Sequence, residues 1–178
     1  MFHRIVVAVD GSAHAAAALK QAIDIAWAQQ ASLTLITAWQ PFNYAYAGAG
    51  MGLAPPIEDG QAVTAGIKAD ARLVLDAAAK TVPAEISVEA HLLEGHPTEV
   101  ILEAVHNGAH DLIAIGSRGR GGISTLLLGS VSHSLIQHSA VPVLVVHLPS
   151  ASRASAPGRD ESTAATRKPV IASHKKAK

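Results

Sequence analysis

The chain has 178 residues, is 49% apolar, and contains no cysteine, which suits one domain with a real core and excludes disulfides, thiolate catalysis and Cys-ligated zinc or iron–sulfur centres. No apolar run approaches the roughly 20 residues of a spanning helix and no signal sequence is apparent, so a soluble, cytoplasmic protein without membrane contact is expected. The formal net charge of zero hides a division: residues 1–148 carry 7 Lys and Arg against 12 Asp and Glu, and residues 149–178 carry 7 against 2. An acidic body does not suit nucleic acid, whose binders present a basic face.

Residues 3–9 form a β-branched run ending at Asp10-Gly11-Ser12, where turn chemistry and a Ser N-cap take over. A helix is expected over Ala15–Gln30, with Leu19, Ala22, Ile23, Ala26 and Trp27 in its apolar stripe. Ser32 to Trp39 is the second strand. Residues 40–57, with Pro41, Pro55, Pro56 and several glycines, break any regular element. Loops of that length serve as lids or binding loops or are disordered. This one holds Phe42, Tyr44 and Tyr46 of the chain's six aromatics, and the plainer expectation is that the rings pack on the body or on a partner subunit.

A second helix is expected from Glu58 and Asp59 to about Lys80, with Ile67, Ala71, Val74, Leu75 and Ala78 as its stripe, and a third strand over Ile86–Leu93. Pro97 suits the first position of a third helix, Glu99 its positive end, and Gly108 its termination. Asp111–Ile115 is the fourth strand. A Gly-rich loop, a helix over Gly129–His138 and a fifth strand over Val141–His147 follow. The tail after Pro149 is rich in Ser, Ala, Thr, Arg and Lys without periodicity, so a domain over 1–148 and a disordered basic tail over 149–178 are expected. Only that tail could touch nucleic acid or acidic partners.

Strands alternating with helices predict an α/β fold: an open five-stranded parallel sheet covered by helices on both faces. Ligands bind such sheets beyond the carboxyl ends of the strands, where strand order reverses. The order 3-2-1-4-5 would make Asp10 and Gly116 neighbours at that point.

Between the fourth strand and the last helix stands Gly116-x2-Gly119-x9-Gly129-Ser130, which reads as a phosphate cradle: glycines let amides approach an anion and Ser130 opens a helix. A P-loop would need Lys after its last glycine, but Ser130 and Val131 follow Gly129. A dinucleotide fingerprint would follow the first strand, where the chain reads Asp10-Gly11-Ser12-Ala13. Asp10 does not suit bare phosphates, because two like charges about 4 Å apart cost about 4 kcal/mol at an effective dielectric near 20, more than the roughly 0.3–2 kcal/mol a helix N-terminus returns. It should face ribose hydroxyls or base N–H groups, unless Mg²⁺ intervenes or it merely caps the first helix turn. Arg118 can neutralise phosphate charge, and Arg120 either does the same or is solvated.

The ten histidines do not have metal-ligand spacing. His106 and His110 straddle Gly108, and His133 and His138 are five apart, so structural or surface roles are expected; His133 is the one nearest the cradle. Only Asp10, His133 and the arginines are candidates for ATPase or phosphotransferase chemistry, and they form no dedicated catalytic set.

Val-Ala-Val-Asp10-Gly-Ser, the Gly116 to Ser130 motif and Pro142-Val-Leu-Val-Val together resemble a universal stress protein of the ATP-binding kind, over about residues 1–148. The resemblance implies a Rossmann-like sandwich and a cytoplasmic regulatory module that binds ATP with Mg²⁺. In it the main chain around Ala38 reads the adenine, Asp10 the adenosine part, and Gly116, Arg118 and Gly119 the ribose and phosphates. Gly129, Ser130, Val131 and Ser132 complete the phosphate site. It also implies a homodimer through Val141–Val146, which an exposed apolar edge would favour, and an unidentified protein partner in stress or dormancy signalling. Slow ATP turnover, or another adenine nucleotide such as cyclic AMP, remain as alternatives.

Overall fold

The β-branched run at the start of the chain becomes the centre of the sheet. In the computed structural model, which describes residues 1–42, 60–120 and 128–148, the elements are β1 (Arg4–Ala8), α1 (Ala13–Gln29), β2 (Ser32–Trp39), α2 (Gly60–Ala79), β3 (Val88–Glu94), α3 (Pro97–Gly108), β4 (Leu112–Gly116), α4 (Ser130–His138) and β5 (Val143–Val146). Every pairing is parallel, and the order is β3-β2-β1-β4-β5. The expected Tyr44 and Tyr46 of the long loop, the helix start at Glu58–Asp59, the stretch 121–127 of the Gly-rich segment and the tail 149–178 lie outside the described residues.

Alternation along β1 splits its side chains between two cores. Ile5 and Val7 join Leu33, Leu35 and Leu112 beneath Leu19 and Ala22 of α1 and Leu75 of α2, whereas Val6 joins Ile36, Ile113 and Ile115 beneath Ile101 and Val105 of α3 and Leu135 of α4. Burial on both faces explains why the central strands read as continuous apolar runs. Among the described residues, no helix is long and apolar enough to cross a membrane.

Four local expectations change. Trp27 is 60% exposed, because Ala15, Ala18, Leu19, Ala22 and Ala26 form the buried stripe of α1 and a residue one beyond Ala26 is turned about 100° away from it. On α2 only Ala71 and Leu75 are fully buried, with Val74 and Ala78 packed beside them. The third helix includes Gly108, and Ala109 takes the left-handed cap at φ 49°. Gly108 is needed for another reason: a Cβ there would collide with the His110 ring. β5 begins only at Val143; before it Pro142 has no N–H for a ladder, and Ser139 closes a local turn onto Val141.

His110 lies at the amino end of the sheet and is buried. Its Nδ1–H must donate to the Ala104 carbonyl (3.0 Å), because a carbonyl can only accept, which leaves Nε2 to accept from the Thr34 hydroxyl (2.9 Å). Burial pushes the His110 pKa down, partly offset by the Ala104 bond. Nearby, Asp111 accepts from the His3 N–H (2.7 Å), the Arg4 N–H (3.1 Å) and the His3 ring (3.3 Å). Desolvation raises its pKa, but these donors outweigh it and hold the carboxyl below its ordinary value.

Candidate functional site

The carboxyl ends of the strands form a crevice of about 490 Å³. It arises where the neighbouring strands β1 and β4 send their crossovers to opposite faces, α1 packing in the layer above Ile5 and α4 in the layer of Leu135. All nine residues singled out from the sequence line it: Asp10, Ala38, Gly116, Arg118, Gly119, Gly129, Ser130, Val131 and Ser132.

Its interior is apolar. Ala8, Ile36 and Ile115 present the α3-side faces of β1, β2 and β4, and Ile101, Leu128 and Val131 close the slot. Sequence reasoning missed these walls, although the alternation Thr34, Ile36, Ala38 along β2 already placed Ile36 on the same face as Ala38. The ladder between β1 and β2 ends at the Ala8–Ile36 pair and the Val9 N–H to Ile36 carbonyl bond (2.8 Å). Backbone groups of Thr34, Ile36 and Ala38 turn alternately with their neighbours toward β1, so those of Ala38 face the crevice just beyond the end of the ladder.

The mouth is polar. Gly129 caps α4 with no side-chain bond, and the Ser132 hydroxyl lies 3.1 Å from the Ser117 carbonyl and 3.0 Å from the Gly129 carbonyl. The Gly129 N–H donates to the Ser117 carbonyl (2.7 Å) and the His133 N–H to the Gly129 carbonyl (3.0 Å). Between them the amides of Ser130, Val131 and Ser132 are the leading N–H groups of a helix, which have no intrahelical acceptor, and all three residues line the crevice. Arg118 contributes a buried Nε with no acceptor among the described residues. A buried donor without a partner costs about 1–3 kcal/mol, and an anion in the crevice would satisfy it. The leading amides of α4, with the positive end of its dipole, and Arg118 thus line one crevice.

Four residues around the crevice have contacts of their own, Ser12 as expected. Gly116 gives clearance to α1, since a Cβ there would lie 2.6 Å from the His14 carbonyl carbon and 2.7 Å from the Ala15 nitrogen. Ser12 is the N-cap of α1, accepting from the Ala15 N–H at 3.1 Å. Asp10 is not that cap; its Oδ1 accepts from the Ser12 N–H (2.9 Å) and its Oδ2 from the Arg120 N–H (3.1 Å). His133 is exposed and does not line the crevice.

The Universal stress protein family model matches residues 1–147. A universal stress protein from Thermus aquaticus is 36% identical over 148 residues, covering 82% of this chain and 99% of that protein. Universal stress protein YxiE of Bacillus subtilis is 32% identical with the same coverage. Among solved structures, a universal stress protein in complex with cAMP superposes with a TM-score of 0.55 at 28% identity, covering 82% of this chain and 97% of that one. With nearly the whole length of these relatives matched and the sheet order in place, the chain belongs to the universal stress protein family.

Proposed function

We propose that the crevice holds an adenine nucleotide, ATP with Mg²⁺ in the first instance, and that the protein acts as a nucleotide-dependent regulatory module in stress or dormancy signalling. One observation carries the reading: three leading amides of α4 and the partnerless Nε of Arg118 border the same crevice as an apolar slot ending at the Ala38 backbone. The slot suits a flat base whose edge bonds to the backbone of Ala38, and the amides suit phosphate. The relative solved with cAMP supports the nucleotide class without fixing its phosphate count, and cyclic AMP is the competing ligand. Mg²⁺ would act beside Asp10, which among the described residues is the only carboxylate lining the crevice; its usual partners are one or two carboxylates plus substrate phosphates.

Holding the nucleotide suits this site better than hydrolysing it. Both oxygens of Asp10 already accept backbone N–H groups and His133 lies off the crevice, so among the described residues no uncommitted general base lines it. Pairing through β5 is part of the proposal: it is an edge strand with Val143 and Val145 packed toward one core and Leu144 toward the other, and a second copy would cover its free edge.

The test is calorimetric titration of wild type and Gly119→Glu with ATP, ADP, AMP and cAMP. The substituted carboxylate would crowd Asp10, whose Oδ2 lies 2.6 Å from where a Cβ would stand, and would face the phosphates with like charge. Binding should disappear while the circular dichroism spectrum is kept. Undiminished affinity in the variant counts against this site.

A further inference from the structure

The β1–α1 turn grips the chain that leaves β4 at two points. Asp10 Oδ2 accepts from the Arg120 N–H at 3.1 Å, and the Ser12 hydroxyl, while capping α1, lies 3.3 Å from the Arg118 carbonyl and donates to it. One bond takes a donor from the loop and the other an acceptor, two residues apart, so together they fix the orientation of the peptide units between them. Asp10 Oδ1 is itself steadied by the Ser12 N–H at 2.9 Å. Gly119 lies inside this grip. A Cβ there would stand 2.6 Å from Asp10 Oδ2 and 3.8 Å from its Cγ, and apart from the adjoining residues 118 and 120 no other atom of the described residues comes within 4 Å. What excludes a side chain at 119 is the carboxylate of Asp10.

We infer that Asp10 and Gly119 form a latch, in which Asp10 is a positioning residue that holds the main chain of residues 118–120 against the β1–α1 turn, and Gly119 is glycine to admit that carboxylate. The latch sets where Arg118, with its partnerless Nε, enters the crevice. Its effect on ligands rests on the nucleotide reading of the site and is aimed at the phosphate end: a released loop loses the Arg118 position but leaves the apolar slot intact. A carboxylate acting as a direct sugar ligand would instead affect adenosine and ATP alike.

Limited trypsin digestion, followed by mass spectrometry at the Arg120–Gly121 bond, tests the latch without any nucleotide. Asp10→Ala should speed that cleavage about tenfold or more, the factor carried by one hydrogen bond to a charged group, while cleavage after Arg72 in α2 stays as in wild type and so reports an intact fold. Asp10→Asn replaces one of the two accepting oxygens by an NH₂ group that cannot accept, and should fall between. Gly119→Ala should speed cleavage as well, yet the double variant should be no faster than Asp10→Ala alone, because the carboxylate it collides with is gone. Additive effects in the double variant, or an unchanged rate in Asp10→Ala, overturn the latch. In parallel titrations without Mg²⁺, where Asp10 has no metal to hold, Asp10→Ala should weaken ATP about tenfold and leave adenosine unchanged; equal weakening of both overturns it in favour of a sugar contact, and weakening of ATP only when Mg²⁺ is added overturns it in favour of a metal contact. Should wild type bind no nucleotide, the functional reading fails while the cleavage cycle still decides the latch.

Discussion

At the amino end of the sheet the polar atoms of His110 and Asp111 are answered by the protein: both ring nitrogens of the buried His110 have partners, and Asp111, nearer the surface, accepts from two amides and the exposed His3 ring. At the carboxyl end, the leading amides of α4, which have no intrahelical acceptor, and the Nε of Arg118, which has none among the described residues, border a crevice. Residue types alone do not separate the two ends, since each has an aspartate, a basic side chain and at least one glycine beside a helix terminus. Satisfaction separates them. A closed set of hydrogen bonds stabilises the fold, and an open set around a cavity marks where a ligand completes the structure.

The largest effects should come from glycines that admit neighbouring atoms at either end. Gly116→Ala drives a methyl into the main chain of α1 at His14 and Ala15, an obstacle that cannot rotate away, and should cost about 3 kcal/mol in urea unfolding. Gly108→Ala meets the His110 ring first, a side chain rather than main chain, and should cost about 2 kcal/mol. Equal and negligible losses would show that neither end is closely packed.

Next in size is the pH response of the amino end. The His110 pKa is lowered in the folded state, so below about 6.5 the unfolded chain binds more protons than the folded one. Stability should be level above that pH and decline as pH falls toward the folded value. The carboxyl of Asp111, also lowered, contributes stability that is present above about 3.9 and lost as pH falls below it. His110→Gln should flatten the first decline and leave the second, read by urea midpoints across the pH range. A first decline that survives in the variant would assign it to another group.

The smallest effect probes an exception. Thr37 is buried and its hydroxyl has no partner among the described residues, yet it does not line the crevice. If it is merely unsatisfied, Thr37→Val should raise stability by about 1 kcal/mol with nucleotide affinity unchanged. Lower stability would show that the hydroxyl is satisfied in solution.

Much of this was legible in the chain. The β-branched runs and the helical stripes between them led to a parallel sheet with right-handed crossovers, and the order 3-2-1-4-5, considered because it would make Asp10 and Gly116 neighbours, is the order found. What the chain did not reveal was the reason for each glycine. The motif spacing suggested close approach to a ligand, whereas Gly116 clears α1 and Gly119 clears Asp10; these are tertiary contacts with segments a hundred residues away, which local pattern does not carry. Trp27 was misplaced for a related reason, since Ile23, Ala26 and Trp27 all fit a helical stripe and only packing against the sheet decides its edge. Ala109 escaped notice because left-handed caps favour glycine, and the nearby Gly108 was taken for the cap while it makes room for His110.

The most direct test of the difference between the ends is the amide spectrum of the protein titrated with ATP, followed by NMR chemical shifts and hydrogen exchange. The amides of Ser130, Val131 and Ser132 should shift and become protected at saturation, while those of Arg4, His110 and Asp111 stay unchanged. Saturating ATP that leaves the three α4 amides unshifted and unprotected would contradict the account.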